Sequence, residues 1–377
     1  MNRRRPLALF NGSYLGPRPT GIGVVARDLV AALDPDQVPL LAPGPDPSAN
    51  PSADPQGPDQ PSGPGARPHS IPIPANLSPA HGSKGHLRRL LWTQNQLPTI
   101  LRQHGKPLLL SPLPEAPLLR GVRSVVLAHD LLPLRFPQPT PLLAYHLIYV
   151  PLVLHRAVRV LCNSEATARE VHGRLRVPSR RLVPIRLGFD PGDLRPLNLE
   201  REPFFLVLGR HDPHKNLARV LRAFSQLRQP EARLHLVGPP DRRYTPRLQA
   251  LASELGIAQR CQWTSWASDG ERLQLLNRCR ALVIASLWEG FGLPALEAMA
   301  CGAPVIAARA GALPEVVGDG AQLVDPYRPE SIAAAMATCL REPPVLAQAA
   351  REGPLRAAGF NWRHTAAEIT NLLQELH

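Results

Sequence analysis

Glu289-Gly290-Phe291-Gly292-Leu293-Pro294 stands between a run of small apolar residues and an alanine-rich stretch that reaches Cys301. The order reads as buried strand, glycine-rich turn, helix. Pro294 suits a first helical position, and Gly302 followed by Pro304 stops the helix. Such a turn presents unpaired main-chain N–H groups at a helix N-terminus, where the dipole also favours negative charge, so it is suited to a diphosphate. Glu289 in the turn and Glu297 in the first turns of the helix could each accept two hydrogen bonds from neighbouring hydroxyls of a ribose or hexose. A tight turn carrying surface glutamates fits this stretch alone equally well.

A second stretch of chemical interest runs from Phe204 to Asn216. A strand ends in Gly209-Arg210, and His211-Asp212-Pro213-His214-Lys215 leads into a helix. Parallel strands offer their C-terminal ends to ligands. Arg210 and Lys215 would place two cations there, matching the two charges of a diphosphate. The alternative is a solvated basic loop. The chain has only three lysines, Lys84, Lys106 and Lys215, among 43 basic residues, so a lysine here stands out more than an arginine would.

These turns need strands and helices to hold them. Short, mostly continuous apolar runs at Leu7–Phe10, Pro107–Leu110, Ser124–Ala128, Val158–Cys162, Phe204–Leu208, Arg233–Val237, Ala281–Ala285 and Val305–Ala308 read as parallel strands covered on both faces. Amphipathic stretches lie between them. Leu217, Val220, Leu221, Phe224 and Leu227 follow helical spacing, with Asn216 placed as N-cap. Alternation of this kind predicts an α/β fold with parallel sheets. At 377 residues the chain is long enough for two such domains. Strand counting restarts after Pro203, which puts a linker near Phe189 to Pro203 and a ligand in the cleft between two sheets. Ala42 to Pro79 is dense in Pro, Gly, Ser and Asp and reads as a flexible insert in the first domain.

The net charge of +13 attracts polyanions, whether nucleic acid, anionic lipid or phosphorylated small molecules. Arg88, Arg89, Arg120, Arg123, Arg156 and Arg159 give the N-terminal half a basic surface. Five cysteines without C-x-x-C pairing indicate free thiols in a reducing compartment. The most apolar stretch, Leu142 to Leu161, is interrupted by His146, Pro151, His155, Arg156 and Arg159, so it reads as a core or surface helix rather than a membrane span. The N-terminus lacks the apolar run of a signal peptide.

Phe205-Leu-Val-Leu-Gly-Arg210, Pro213-His-Lys215-Asn216 and Glu289-Gly-Phe-Gly-Leu-Pro-Ala-Leu-Glu297-Ala-Met-Ala-Cys-Gly302-Ala-Pro-Val resemble the C-terminal half of the family-4 retaining glycosyltransferases, also called group 1 glycosyl transferases. The last stretch matches their E-x7-E signature without a gap. The likeness continues through Gly311-Ala-Leu-Pro314-Glu315-Val-Val-Gly318-Asp319 and Leu323-Val-Asp325-Pro326, and covers Phe204 to Leu376. In the first half, Thr20-Gly21-Ile22-Gly23 resembles the family's glycine loop, and His129-Asp130-Leu131-Leu132-Pro133-Leu134-Arg135-Phe136-Pro137 resembles the H-D-x-x-P-x-x-x-P stretch of bacterial members, many of which transfer mannose. Gly188-Phe189-Asp190 resembles an N-G-x-D element, with Leu187 in place of the usual Asn.

The resemblance implies a GT-B fold, two Rossmann-like domains with parallel sheets facing across a cleft: residues 1–190 for the acceptor, 200–360 for the nucleotide-sugar, and a C-terminal helix within 361–377 returning to the first domain. It implies a hexosyltransferase. Arg210 and Lys215 would hold the donor diphosphate with Gly21, Gly23 and the amides of Gly290, Phe291, Gly292 and Leu293. Glu297 would bind the ribose, Glu289 would face the transferred sugar, and His129 would contact that sugar near its reacting centre. GDP-mannose is the first donor expected, then UDP- or ADP-glucose. The expected acceptor is a glycan, a lipid-linked saccharide or a small molecule, as in polysaccharide or lipopolysaccharide assembly. No cofactor or essential metal is expected. The expected place is the cytoplasm, with an anionic membrane face as a candidate docking surface.

Other classes fit less well. Gly21-Ile22-Gly23-Val24-Val25-Ala26 has the dinucleotide spacing but neither an immediately preceding strand nor an acidic residue ending a second strand about 20 positions on. Asp34-Pro35-Asp36 matches a D-x-D metal motif but has a central proline. No nucleic-acid-binding pattern accompanies the charge, so no nucleic-acid partner is expected. An inactive scaffold remains as an alternative, against which stands the complete set Arg210, Lys215, Glu289 and Glu297.

Overall fold

The computed structural model describes residues 5–16, 21–44, 70–119, 121–138 and 141–377. Its strands form two sheets. The first holds β1 (Ala8–Asn11), β2 (Leu40–Pro43), β3 (Ile71–Ile73), β4 (Leu108–Ser111), β5 (Ser124–Ala128), β6 (Arg159–Cys162) and β7 (Leu182–Pro184), in the order β3-β2-β1-β4-β5-β6-β7. The second holds β8 (Phe204–Leu208), β9 (Arg233–Val237), β10 (Cys261–Thr264), β11 (Ala281–Ile284), β12 (Val305–Ala308) and β13 (Gln322–Val324), in the order β10-β9-β8-β11-β12-β13. Every recorded pairing is parallel. Each sheet is Rossmann-like, and each reverses its direction of growth beside its first strand. Those reversals, β1/β4 and β8/β11, are where an open α/β sheet leaves a crevice at its carboxyl edge.

All eight strands expected from apolar runs are present. Those overlooked, β2, β3, β7, β10 and β13, occupy the outer positions of their sheets, where a strand is short and needs fewer apolar residues. The second core gathers Phe205, Leu234, Leu236 and Val283 from the strands with Leu221 and Phe224 from the helix Leu217–Ser225. The first gathers Leu9, Leu109, Val126 and Val160 with Trp92, Leu97 and Val153. Each such side chain, fully buried, contributes about 1.5–3 kcal/mol relative to exposure.

Contacts divide the chain into two compact units. One comprises Met1–Asn163, Thr167–Gly188 and Asn361–His377; the other Ser164–Ala166 and Phe189–Phe360. In the first, the helix Trp362–Leu376 packs on the helix Gly21–Ala32, buries Ile369 and Leu373, and donates Thr365 Oγ1 to the Arg186 carbonyl at 2.7 Å.

Three local expectations are corrected. Phe189 to Pro203 is not a free linker but is fastened to the second unit. The Leu197 amide donates to Asn277 Oδ1 at 2.7 Å, and the Arg201 guanidinium donates to the Cys279 and Gly302 carbonyls at 2.9 and 2.7 Å. The insert Ala42 to Pro79 is narrower than its composition suggests. Ile71–Ile73 pairs with β2, Leu77 is buried, and 45–69 lies outside the described residues, as do Thr20 and Arg120. Asn216 stands at the helix start but does not cap it. It adopts φ 62°, and its buried amide donates to the carbonyls of Ala285 and Pro326 at 2.9 and 2.7 Å, tying together the loops after β11 and β13. Asp34, of the D-P-D sequence, accepts instead from the Asp36 amide and the Gln37 side chain at 2.9 and 2.8 Å in its own turn.

Candidate functional site

The loops after β8 and β11 leave neighbouring strands at the reversal of the second sheet, where Ala281 and Leu282 pair with Phe205 and Leu206. The Leu287 amide donates to the His214 carbonyl at 2.8 Å and joins the two loops. This brings Lys215 to Glu289, with Nζ 2.6 Å from Oε1. The Ser286 hydroxyl donates to the same oxygen at 2.6 Å. Lys215 and Glu289 are mostly shielded, with side chains 21% and 13% exposed. The backbone of Glu289 is also fixed. Its carbonyl accepts from the Ala312 amide at 2.9 Å, and Gly311, at φ 57°, passes so close that a Cβ there would stand 2.3 Å from that carbonyl. Only glycine meets both conditions.

Next to Glu289, the helix Leu293–Ala300 starts at Gly292, whose φ of 110° suits glycine. The amides of Gly290, Phe291, Gly292 and Leu293 have no hydrogen-bond acceptor among the described residues. The Phe291 ring is buried against Phe360, 5.8 Å between centroids, so Phe291 offers a ligand its main chain rather than its side chain. A lysine and four unpaired N–H groups at a helix N-terminus make a site for a doubly charged anion.

Glu297 lies one to two turns along that helix. Its Oε1 accepts from Arg272 at 3.2 Å, and Arg272 also pairs with Asp269 at 2.9 Å. Burial pushes the Glu297 carboxyl above its ordinary range. Arg272 opposes that shift and Asp269 adds to it. Arg210 is not part of the cluster. Its side chain is 63% exposed and stands 3.4 Å from Asp212, a surface pair of little energetic weight.

His129, Gly21 and Gly23 belong to the first unit. His129 follows β5 and is only 9% exposed. Its Nε2–H donates to the Pro112 carbonyl at 2.8 Å, and Thr167 Oγ1 donates to the His129 carbonyl at 3.3 Å. Burial pulls its pKa down to about 4, with the Pro112 bond acting the other way. The imidazole is therefore neutral at neutral pH, with its proton on Nε2 and Nδ1 as an acceptor. Gly21 opens its helix, exposed and with open space where a Cβ would be, while Gly23 is buried.

The His129 shift has a thermodynamic consequence. Between pH 6.5 and about 4 the unfolded chain takes up a proton that the folded one refuses, so stability falls as pH falls through that window, by about 3 kcal/mol in full. Urea unfolding followed at about pH 7 and about pH 4.5 is expected to show a steeper loss for the wild type than for His129→Gln, whose amide can still reach Pro112. Equal losses would remove His129 as their source.

Three contributors escaped sequence reading. Ser286 stands two residues beyond the end of β11, in the loop that leads to Glu289. Arg272 is one arginine among many, and nothing local marks it as the partner of Glu297. Asn216 was noticed for the wrong bond.

Residues 193–356 match the family described as Glycosyl transferases group 1, and residues 19–193 match Glycosyltransferase Family 4. The chain is 34% identical over 235 residues to an MMP alpha-(1->4)-mannosyltransferase of Mycolicibacterium hassiacum, covering 59% of this chain and 55% of the relative. It is 37% identical over 202 residues to a D-inositol 3-phosphate glycosyltransferase of Rhodococcus jostii, covering 51% and 43%. The chain thus spans about half the length of these curated relatives. Among solved structures, the sucrose-phosphate synthase of Thermosynechococcus elongatus superposes with a TM-score of 0.71 at 22% identity, over 99% of both chains. Anabaena HepE, in complex with UDP and glucose, superposes with 0.69 at 21%, over 98% and 99%. With two Rossmann-like sheets and family models that together match residues 19–356, this chain belongs to the group 1 (family 4) glycosyltransferases.

Proposed function

We propose that the chain transfers a hexose, with retention of anomeric configuration, from a nucleoside-diphosphate sugar to a glycan, lipid-linked or small-molecule acceptor, and that it does so without a metal ion. The observation that carries this reading is the Lys215–Glu289 pair set beside four unpaired amides at the β8/β11 reversal. When the bond from the anomeric carbon to the diphosphate oxygen breaks, charge grows on the leaving diphosphate. Lys215 and the amides of Gly290–Leu293 are aimed to take that charge, and Arg210 can swing in from solvent. Pre-aimed donors of this kind act mostly in the transition state. As the diphosphate draws Lys215, Glu289 is freed to accept from sugar hydroxyls, with Ser286 holding its position. Glu297, steadied by Arg272, accepts from the ribose. His129 accepts a sugar hydroxyl through Nδ1, Gly21 and Gly23 at the start of a helix serve the diphosphate, and the first unit supplies the acceptor site.

GDP-mannose is the first donor to test, supported by mannosyltransferases among the relatives. UDP-glucose comes next, supported by the UDP and glucose held in the similar structure, and then ADP-glucose. Thermal shift of the full chain with GDP, UDP, ADP, NAD and a short single-stranded DNA separates the classes. A ligand at 100 times its Kd stabilises by about 2.7 kcal/mol. One nucleoside diphosphate is expected to raise Tm, and the rise should shrink in Glu297→Ala. A shift by NAD or DNA alone, or by none of the five, would sink the transferase reading.

A further inference from the structure

Between residues 60 and 164 the sequence has eleven Lys or Arg and two acidic residues, Glu115 and Asp130. Glu115 is 1% exposed, so it offers no charge to the surface. Six of the nine large apolar side chains that stand exposed among the described residues lie in the same stretch: Leu87, Leu91, Leu119, Leu147, Ile148 and Leu152. They fall into stripes. On the helix Gly82–Asn95, Lys84, Leu87, Arg88 and Leu91 are exposed at i, i+3, i+4 and i+7, while Gly85, Arg89 and Trp92 face inward. On the π-helical turn Tyr145–Tyr149 and the helix Val150–Arg156, Ile148, Leu152, His155 and Arg156 are exposed at i, i+4, i+7 and i+8.

The two elements that carry these stripes are held beside each other. His86 meets the Tyr145 ring edge-on at 5.0 Å, and Gln94 donates to the Tyr149 hydroxyl at 3.0 Å. Neither helix nor the turn carries a carboxylate. No helix among the described residues is long and apolar enough to cross a membrane. Apolar side chains alternating with cations, and no anions, are what a peripheral helix needs to lie in a headgroup layer: the apolar groups enter the acyl boundary while Lys and Arg stems extend to the phosphates.

We infer that this face of the first unit docks on an anionic lipid surface, with Leu87, Leu91, Leu147, Ile148 and Leu152 inserted and Lys84, Arg88 and Arg156 on the headgroups. The anion is specified by the charge, and a lipid rather than a free phosphate by the apolar residues between the cations. The donor site lies in the other unit, so success or failure of this inference leaves the transferase reading untouched.

Co-sedimentation of the full chain with phosphatidylglycerol vesicles, and separately with phosphatidylcholine vesicles, at low and high salt tests it. Binding is expected to the anionic vesicles only and to fall with salt. Leu147→Ser with Ile148→Ser should weaken it about tenfold. Lys84→Gln with Arg88→Gln should weaken it by at least about tenfold. Leu355→Ser, an exposed leucine of the second unit, should leave it unchanged. The nucleoside-diphosphate thermal shift should be the same in all of them, which shows that they fold. The inference is overturned if the wild type ignores phosphatidylglycerol, binds both vesicles equally or resists salt. It is also overturned if the Leu147/Ile148 variant binds like the wild type, or if those substitutions abolish self-association of the chain instead of lipid binding.

Discussion

Replacing Lys215 by alanine is expected to lower kcat/KM for the donor by about 10²–10³-fold, or roughly 3–4 kcal/mol of transition-state stabilisation. Lys215 Nζ stands 2.6 Å from Glu289 Oε1, and it comes from a loop that the Leu287–His214 bond holds against the glutamate's own loop. With Lys215 gone, Arg210 is the cation left to serve the diphosphate. Arg210, exposed and resting near Asp212, must first reorganise, and Arg210→Ala should lose less than Lys215→Ala. Arginine should not rescue the lysine. A planar guanidinium, a larger and differently shaped head, does not reproduce the compact ammonium that stands 2.6 Å from Glu289 Oε1. Initial rates of nucleoside diphosphate release, measured beside a melting curve to show that the fold is kept, decide the matter. A loss of less than about threefold at unchanged Tm would take Lys215 out of the diphosphate site.

The second sheet shows how far such a site can be read from sequence. β8 and β11 are central strands, so their apolar runs are continuous, and the turns that follow them stand out against that background. This is why Lys215, Glu289 and the Gly290–Leu293 turn stand out and why Glu297 can be placed in the helix that follows, while its part toward a ribose comes only from the family resemblance. What was not legible depends on loops meeting from distant positions. Arg272 reaches Glu297 from another helix, Gly311 braces the Glu289 backbone from the loop after β12, and Asn216 clamps two loops that sequence places 69 and 110 residues away. No periodicity encodes these meetings. Edge strands were lost for the opposite reason. β7 and β13 are three residues long, and their signal is weaker than that of the helices around them. Charge was the most misleading guide. Arg88 and Arg89 look alike as neighbours in a basic run, yet Arg88 is exposed and Arg89 is 3% exposed.

Arg89 is therefore the site of the largest stability effect expected. Its guanidinium forms a two-pronged pair with Glu115, Nε to Oε2 at 2.7 Å and Nη2 to Oε1 at 3.0 Å. Its Nη1 donates to the Leu77 carbonyl at 3.0 Å, its Nη2 to His86 Nδ1 at 2.8 Å, and its carbon lies 5.0 Å from the centre of the Tyr14 ring. The pattern fixes His86 as well. Because Nδ1 accepts, that imidazole is neutral, and burial lowers its pKa while Glu115 and Arg89 act in opposite directions. The Tyr145 hydroxyl donates to Glu115 at 3.3 Å, so one carboxylate ties the helix Gly82–Asn95 to the π-helical turn. Removing either charge leaves the other buried without a counter-charge, which costs about 3–5 kcal/mol. Arg89→Met and Glu115→Gln are each expected to lower Tm of the first unit by roughly 10 °C. Arg89→Met combined with Glu115→Leu should lose far less than the sum of the single changes, because the desolvation penalty of both ions disappears with them. Calorimetry of the four chains closes the cycle. Additive losses would mean that the pair is not coupled. Strong coupling would show that the helix Gly82–Asn95 is fastened through this ion pair to Glu115, the same carboxylate that accepts from Tyr145 of the π-helical turn.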